Sequence, residues 1–263
     1  MTFQLAGSGP EIYERVMVPL WFGKWAKSLL DSISLEPGDR VLDVACGTGV
    51  TTRLAKDRVG HQGLVKGLDV NAAMLAKAMK LAAGRDIGWV ESDVVESGFP
   101  DGSFDAVISQ HGYHYFPDKP AALIEMGRLL APGGRLAFSI WDGHCPYTEA
   151  ICKALEQHVS PQIASQQRSQ RETPTAEDLE RQVRAAGFSR VTLLRQEQLI
   201  DVPLAEEFVP LHLGSMPIAG AFAALSEKRK RMLIDQISTM LQPYVVAGRI
   251  RYPDAVHVVI AQM

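Results

Sequence analysis

The sequence predicts an α/β protein. Its expected core is a seven-stranded, mostly parallel sheet with helices on both faces, joined by an N-terminal helical cap and a helical insertion before the last strand. Three observations carry that expectation. Residues 40–52 read as a short apolar strand, a glycine-containing turn and the start of a helix. A second apolar strand, Leu64–Leu68, then ends in Asp69, 20 residues after Gly49. Strand-length apolar runs and helical stretches alternate from there to the final run at Ala255–Ala261.

The opening unit has the make-up of a nucleotide site. Val41, Leu42 and Val44 read as a buried parallel strand with Asp43 near its end. Cys46-Gly47-Thr48-Gly49 turns the chain, and Val50–Arg58 has helical composition. Without a Cβ, glycine allows close backbone approach to a ligand and φ > 0, and the helix start offers unpaired N–H groups. Asp69 is placed to bind the two hydroxyls of a ribose. A dinucleotide site would want a third glycine where Thr52 stands, and a pyrophosphate sits poorly beside the Asp43 carboxylate. A ligand with an ammonium and a ribose but no phosphate suits Asp43 and Asp69 better, and S-adenosylmethionine is such a ligand.

Val41-Leu42-Asp43-Val44-Ala45-Cys46-Gly47-Thr48-Gly49 resembles the first motif of class I S-adenosylmethionine-dependent methyltransferases. Glu91-Ser92-Asp93, Phe104–Ser109 and Leu129–Leu136 match later motifs in the right order over residues 36–142. The group most resembled is the UbiE-like small-molecule methyltransferases, built on a Rossmann-like core. Gly9–Arg15 and the C-terminal strand extend the resemblance more weakly. The chain departs from it at Ala45, where many members have glycine. The resemblance implies S-adenosyl-L-methionine as methyl donor and S-adenosyl-L-homocysteine as product. It implies cofactor contacts at Asp43, Ala45, Cys46, Gly47, Gly49, Asp69, Val70 and Gln110, with Asp93 and Val94 on adenine. Tyr13 is implied at the methionine end, and Met74 faces the nucleotide pocket if its helix starts at Asn71. The implied organisation is a cap over 1–35, a core over 36–200, a lid over 201–250 and a final core strand over 251–263.

Composition narrows the function. The chain has 263 residues, 46% apolar and 22% charged, as in an ordinary globular protein. A net charge of −3 gives no long-range attraction for a polyanion, so nucleic acid is not the expected substrate. Cys46, Cys145 and Cys152 show no metal-ligand spacing, and their small number fits a reducing compartment. Met1–Gly7 does not read as a signal peptide, and no apolar run is long enough to span a membrane. The expected state is a cytoplasmic monomer or homodimer.

Each element has its own signal. Residues 10–33 are helical, with Pro19 kinking or splitting the pattern. Asn71 caps the next helix and Gly84 ends it. Ile87–Val90 is the third strand, and Phe104–Ser109 the fourth. Pro120 opens the helix Ala121–Leu130, and Pro132-Gly133-Gly134 turns into the fifth strand, Arg135–Trp141. Residues 147–187 read as helical except for a loop at Gln162–Glu172, with Thr175 and Asp178 as a capping box. Val191–Leu199 is strand, residues 201–243 are helical, and Glu227–Arg231 is a solvated charge run.

The chemistry is expected in the loop Gln110–Asp118, beyond the fourth strand. It lacks the Asn/Asp-Pro-Pro-Tyr/Phe motif of many nucleic-acid and protein amide methyltransferases, which points to a small-molecule acceptor. Its aromatic content suits a flat substrate such as an aromatic, enolic, quinone-type or natural-product compound. His114 and His111 are the candidate bases. Tyr113, Trp141 and His144 are candidate substrate contacts, and Phe208, Leu211, His212, Met216 and Phe222 are candidates to line an apolar acceptor site. Proximity and desolvation supply much of the rate of such a transfer. A binding protein that does not transfer methyl and a nicotinamide-dependent oxidoreductase are the competing readings.

Overall fold

The computed structural model describes residues 9–263, so Met1–Gly7 and the first part of the expected cap lie outside the described residues. Helix α1 (Gly9–Ile12) runs into a π-helical stretch, Tyr13–Phe22, and on into α2 (Gly23–Ser32). Pro19 lies inside the π stretch. The missing proline N–H breaks α-type bonding, and the wider turn absorbs it without ending the helix. The Gly23 N–H reaches back to the Val18 carbonyl, five residues earlier.

Strand β1 (Arg40–Val44) leads through the glycine turn into α3 (Val50–Val59), then β2 (Leu64–Asp69), α4 (Ala72–Leu81) and β3 (Ile87–Glu91). The Asn71 side chain caps α4 by accepting from the N–H groups of Ala73 and Met74. Strand β4 (Phe104–Gln110) is followed by α5 (Lys119–Leu129), which starts at an Asp118 cap just before Pro120, and by β5 (Leu130–Trp141). The expected turn at Pro132–Gly134 is part of β5. The register against β4 shifts between Phe104 and Ala106, and the extra residues bulge out of the ladder.

The second half adds α6 (Pro146–His158), α7 (Pro161–Arg168), α8 (Ala176–Ala185) and β6 (Arg190–Val202). Helix α7 and a 3-10 turn at Ser169–Arg171 replace most of the expected loop at Gln162–Glu172. Ser160 caps α7 by accepting from the Ile163 N–H, Pro161 begins it, and Ala164 and Gln167 are buried. A glutamine-rich helix with a narrow buried face looks polar throughout when read as sequence. Next come α9 (Ala205–Gly214), α10 (Ala219–Ala223), α11 (Glu227–Leu241), the two-residue β7 (Val245–Val246) and β8 (Arg249–Gln262). The sheet therefore has eight strands, because β7 adds a short hairpin arm to β8 that the sequence does not announce.

The strand order is β3-β2-β1-β4-β5-β8-β6, parallel from β3 to β5, with β8 antiparallel to both neighbours. Two buried cores lie on the two faces. One joins α2, α6, α9 and α11 to the sheet, and the other joins α5 and α8. The strand order reverses between β1 and β4, so a crevice opens beyond their carboxyl ends.

Gly49 is fixed by packing as well as by conformation. Its φ is +78°, and a Cβ there would stand 2.5 Å from the Trp89 ring. Gly133, at φ +79°, faces open space. Gly49→Ala is expected to cost about 2–4 kcal/mol in urea unfolding, against about 1 kcal/mol for Gly133→Ala. Equal losses would show that Trp89 gives way.

Candidate functional site

The crevice is built by three strand ends. Beyond β1, Ala45 adopts a left-handed conformation at φ +57°, Gly47 follows at +56°, and the Cys46 N–H donates to the Leu68 carbonyl at 3.0 Å. This position demands a left-handed residue, which glycine adopts freely, and Ala45 carries the strain. At the tip of β2, the Asp69 carboxylate accepts from the Gly47 N–H at 2.7 Å and from the Asn71 N–H at 2.8 Å. One side chain therefore holds the first turn against the start of α4.

Asp43 is buried beneath the turn. One oxygen, Oδ2, accepts from the Thr52 hydroxyl at 2.6 Å, while Oδ1 is buried without a hydrogen-bond partner. Burial pushes its pKa up to about 7, against the Thr52 bond, which lowers it. Burial likewise raises Asp69, opposed by its backbone donors. Asp43 borders a small recess that shares Tyr13, Ala45, Gly47 and Gln110 with the main cavity. The recess is roofed from the N-terminal helix. Glu14 accepts from the Thr48 hydroxyl and pairs with Arg53 at 2.6 Å.

The main cavity measures about 1220 Å³, its open mouth included. At one end it is lined by Asp69, Val70, Met74, Asp93 and Val94, and Gly47 faces the Met74 methyl. At the other end stand Phe22, His111, His114, Trp141, Arg171 and His212. The His111 ring stacks on Trp141 with centroids 3.9 Å apart, and its backbone is left-handed at φ +53°. Both ring nitrogens of His111 and of His114 are buried without hydrogen-bond partners. Burial, helped by neighbouring positive charge, pushes His111 well below the ordinary imidazole value and His114 down to about 3.

Most of the sequence-predicted residues meet here, but not all. Cys46 borders the recess, with its thiol against Gly67. Gly49 lies outside both cavities and packs on Trp89. Tyr113 is fully buried, stacked on Phe138 at 4.7 Å with its hydroxyl donating to Gln182, because the 3-10 turn at Tyr113–Tyr115 rotates it into the core. His144 lies off the cavity, 3.3 Å from the Arg168 carbonyl. Of the residues from the insertion, His212 and Met216 line the cavity, whereas Phe208, Leu211 and Phe222 do not. Sequence reasoning missed Arg171, which lay in the expected loop, and its partner Asp254. An acidic residue immediately before the apolar run of the last strand was the available signal.

Comparison with known proteins fits this geometry. Residues 41–134 match the methyltransferase domain family. The chain is 35% identical over 166 residues to a 2-phytyl-1,4-naphtoquinone methyltransferase of Synechococcus elongatus, covering 59% of this chain and 70% of the relative. It is 32% identical over 193 residues to the aklanonic acid methyltransferase DauC of a Streptomyces species, covering 68% of this chain and 87% of that one. The fold resembles phosphoethanolamine N-methyltransferase 2 of Haemonchus contortus, solved with S-adenosylhomocysteine, at TM-score 0.62 and 18% identity over 97% of this chain and 56% of that one. The chain belongs to the class I S-adenosylmethionine-dependent methyltransferases, in the UbiE-like group of small-molecule enzymes.

The residues present fit that cofactor. The unpartnered Asp43 oxygen can take an ammonium, Asp69 can take ribose hydroxyls, and the bare Gly47 backbone leaves room beside Met74. The dehydrogenase reading fails at the same place, since Thr52 replaces the third glycine and binds Asp43. Among the described residues, no group of three or more acidic, histidine or cysteine side chains can hold a metal.

Asp43 gives the site a pH signature. Its carboxyl rises from 3.8 to about 7 on folding, so ligand-free stability is lost as pH climbs through that window. The ionised form is the one that holds an ammonium. S-adenosylhomocysteine affinity is therefore expected to rise between about pH 5 and 8 in calorimetry, and to flatten in Asp43→Asn. An equally steep rise in the variant would remove Asp43 from this role.

Proposed function

We propose that this methyltransferase acts on a small aromatic or enolic acceptor of quinone or natural-product type, by O-, N- or C-methylation. The observation that carries the reading is one continuous cavity, acidic where a nucleoside fits and aromatic beyond. Relatives named for a naphthoquinone and for aklanonic acid support it. When bound, S-adenosylmethionine supplies a methyl group already activated by its sulfonium. In this reading Asp43, Ala45, Gly47, Asp69, Val70, Met74, Asp93, Val94 and Gln110 hold it, with Tyr13 closing over the methionine end.

The rest of the work falls to positioning. Phe22, Trp21 and Trp141 form an aromatic wall that excludes water from the acceptor. His111 and His114 stay uncharged, so each offers one donor and one acceptor to the acceptor's oxygens. As bases both are weak, since burial disfavours imidazolium. A histidine takes a proton here only from an acidic acceptor. The N-terminal helix and the α9–α11 segment act as cap and lid. We place the enzyme in the cytoplasm, as a monomer or homodimer; its three buried free cysteines fit a reducing compartment. Among the described residues no helix is long and apolar enough to cross a membrane.

The test is S-adenosylhomocysteine release with a panel of hydroxylated naphthoquinones and polyketide aromatics. Turnover above the acceptor-free background is expected, and background rates throughout would contradict the reading. With S-adenosylmethionine saturating at every pH, so that Asp43 does not contribute, the pH profile of kcat/KM for the acceptor should lack an inflection near the ordinary histidine value of about 6.5. An inflection there that disappears in His114→Gln would restore His114 as a base of ordinary strength.

A further inference from the structure

We propose that Arg171 anchors the acceptor as an oxyanion, so that the substrate is an acidic enol, phenol or carboxylic acid bound in its ionised form. This rests on the reading of the aromatic end of the cavity as the acceptor site. Arg171 is 6% exposed and lines that end, while its partner Asp254 lies behind it, outside the lining. Asp254 grips the guanidinium in a bidentate pair, with both N–H···O distances at 2.7 Å. The Gly143 carbonyl takes a third N–H at 3.3 Å, and the guanidinium carbon stands over the Trp141 ring, 3.8 Å from its centroid. Asp254 is itself fixed by the Trp21 indole N–H at 3.1 Å.

That mounting decides what Arg171 does. A guanidinium has five N–H donors, of which three are used, and the remaining two have no partner among the described residues. The pair presents its positive end to the cavity and its negative end to the sheet. A rigid, preoriented cation of this kind binds planar oxyanions with little ordering cost. Nothing of opposite sign lines the aromatic end, and the acidic side chains, Asp69 and Asp93, stand at the cofactor end. An ionised acceptor also removes the need for a strong base, which the two buried histidines do not provide.

The experiment uses two probes, hydroxynaphthoquinone, which ionises to an enolate-type anion at neutral pH, and unsubstituted naphthoquinone, which does not. Binding to the full chain holding S-adenosylhomocysteine is measured by calorimetry. Wild-type protein is expected to prefer the hydroxyquinone by about tenfold or more. The double variant Arg171→Met with Asp254→Asn, which leaves no buried charge unpaired, is expected to abolish that preference while keeping naphthoquinone and S-adenosylhomocysteine binding. Arg171→Lys, which keeps the charge, should retain a reduced preference. The proposal is overturned if wild-type protein binds both quinones equally or neither, if the double variant keeps the preference, or if Arg171→Lys loses it entirely. Met216→Trp, which fills the aromatic end, separates the two levels. If it blocks both probes the acceptor site stands whatever Arg171 does, and if it blocks neither the acceptor-site reading itself fails.

Discussion

The Asp69 carboxylate is the joint on which the site depends. It takes the backbone N–H of Gly47 from the first turn and that of Asn71 from the start of α4. Charge-assisted bonds to backbone donors are strong and directional, so the tip of β2 sets the shape of the turn after β1. Glu14 ties the N-terminal helix to the same turn through Thr48 and Arg53. The crevice, its roof and the first turn are thus fixed together through one carboxylate and one N-terminal glutamate.

From that joint the cavity changes character along its length. Asp43 and Asp69 give the cofactor end negative potential, held in check by burial, which raises both carboxyls. The aromatic end holds two uncharged imidazoles whose ring nitrogens have no hydrogen-bond partner among the described residues. The far end is cationic, where Arg171 sits on Trp141 with Asp254 behind it. A positive donor at one end and an electron-rich acceptor at the other match this gradient. Orientation comes from fixed charges and rings, and each is mounted on a strand end or a buried pair.

Much of this was legible in the sequence because it follows from local rules. The strand, the glycines and the acid at Asp69 announce the crevice, and Asn71 and Thr175 announce their helices through cap chemistry. The parts that were not legible depend on contacts distant in sequence. Tyr113 and His111 are two residues apart in one loop, yet a left-handed residue and a 3-10 turn send one to the cavity and the other to the core. Arg171 becomes a site residue only because β8 brings Asp254 to it from 83 residues away. In α7 the glutamines that follow Ser160 and Pro161 masked its narrow buried face.

A co-crystal structure with S-adenosylhomocysteine tests the central claim most directly. The account predicts density in the crevice beyond β1, β2 and β4, with the ribose hydroxyls on Asp69 and the amino group turned toward the unpartnered Asp43 oxygen. Density that left Asp69 bound only to its two backbone donors, with the nucleoside elsewhere on the protein, would contradict it.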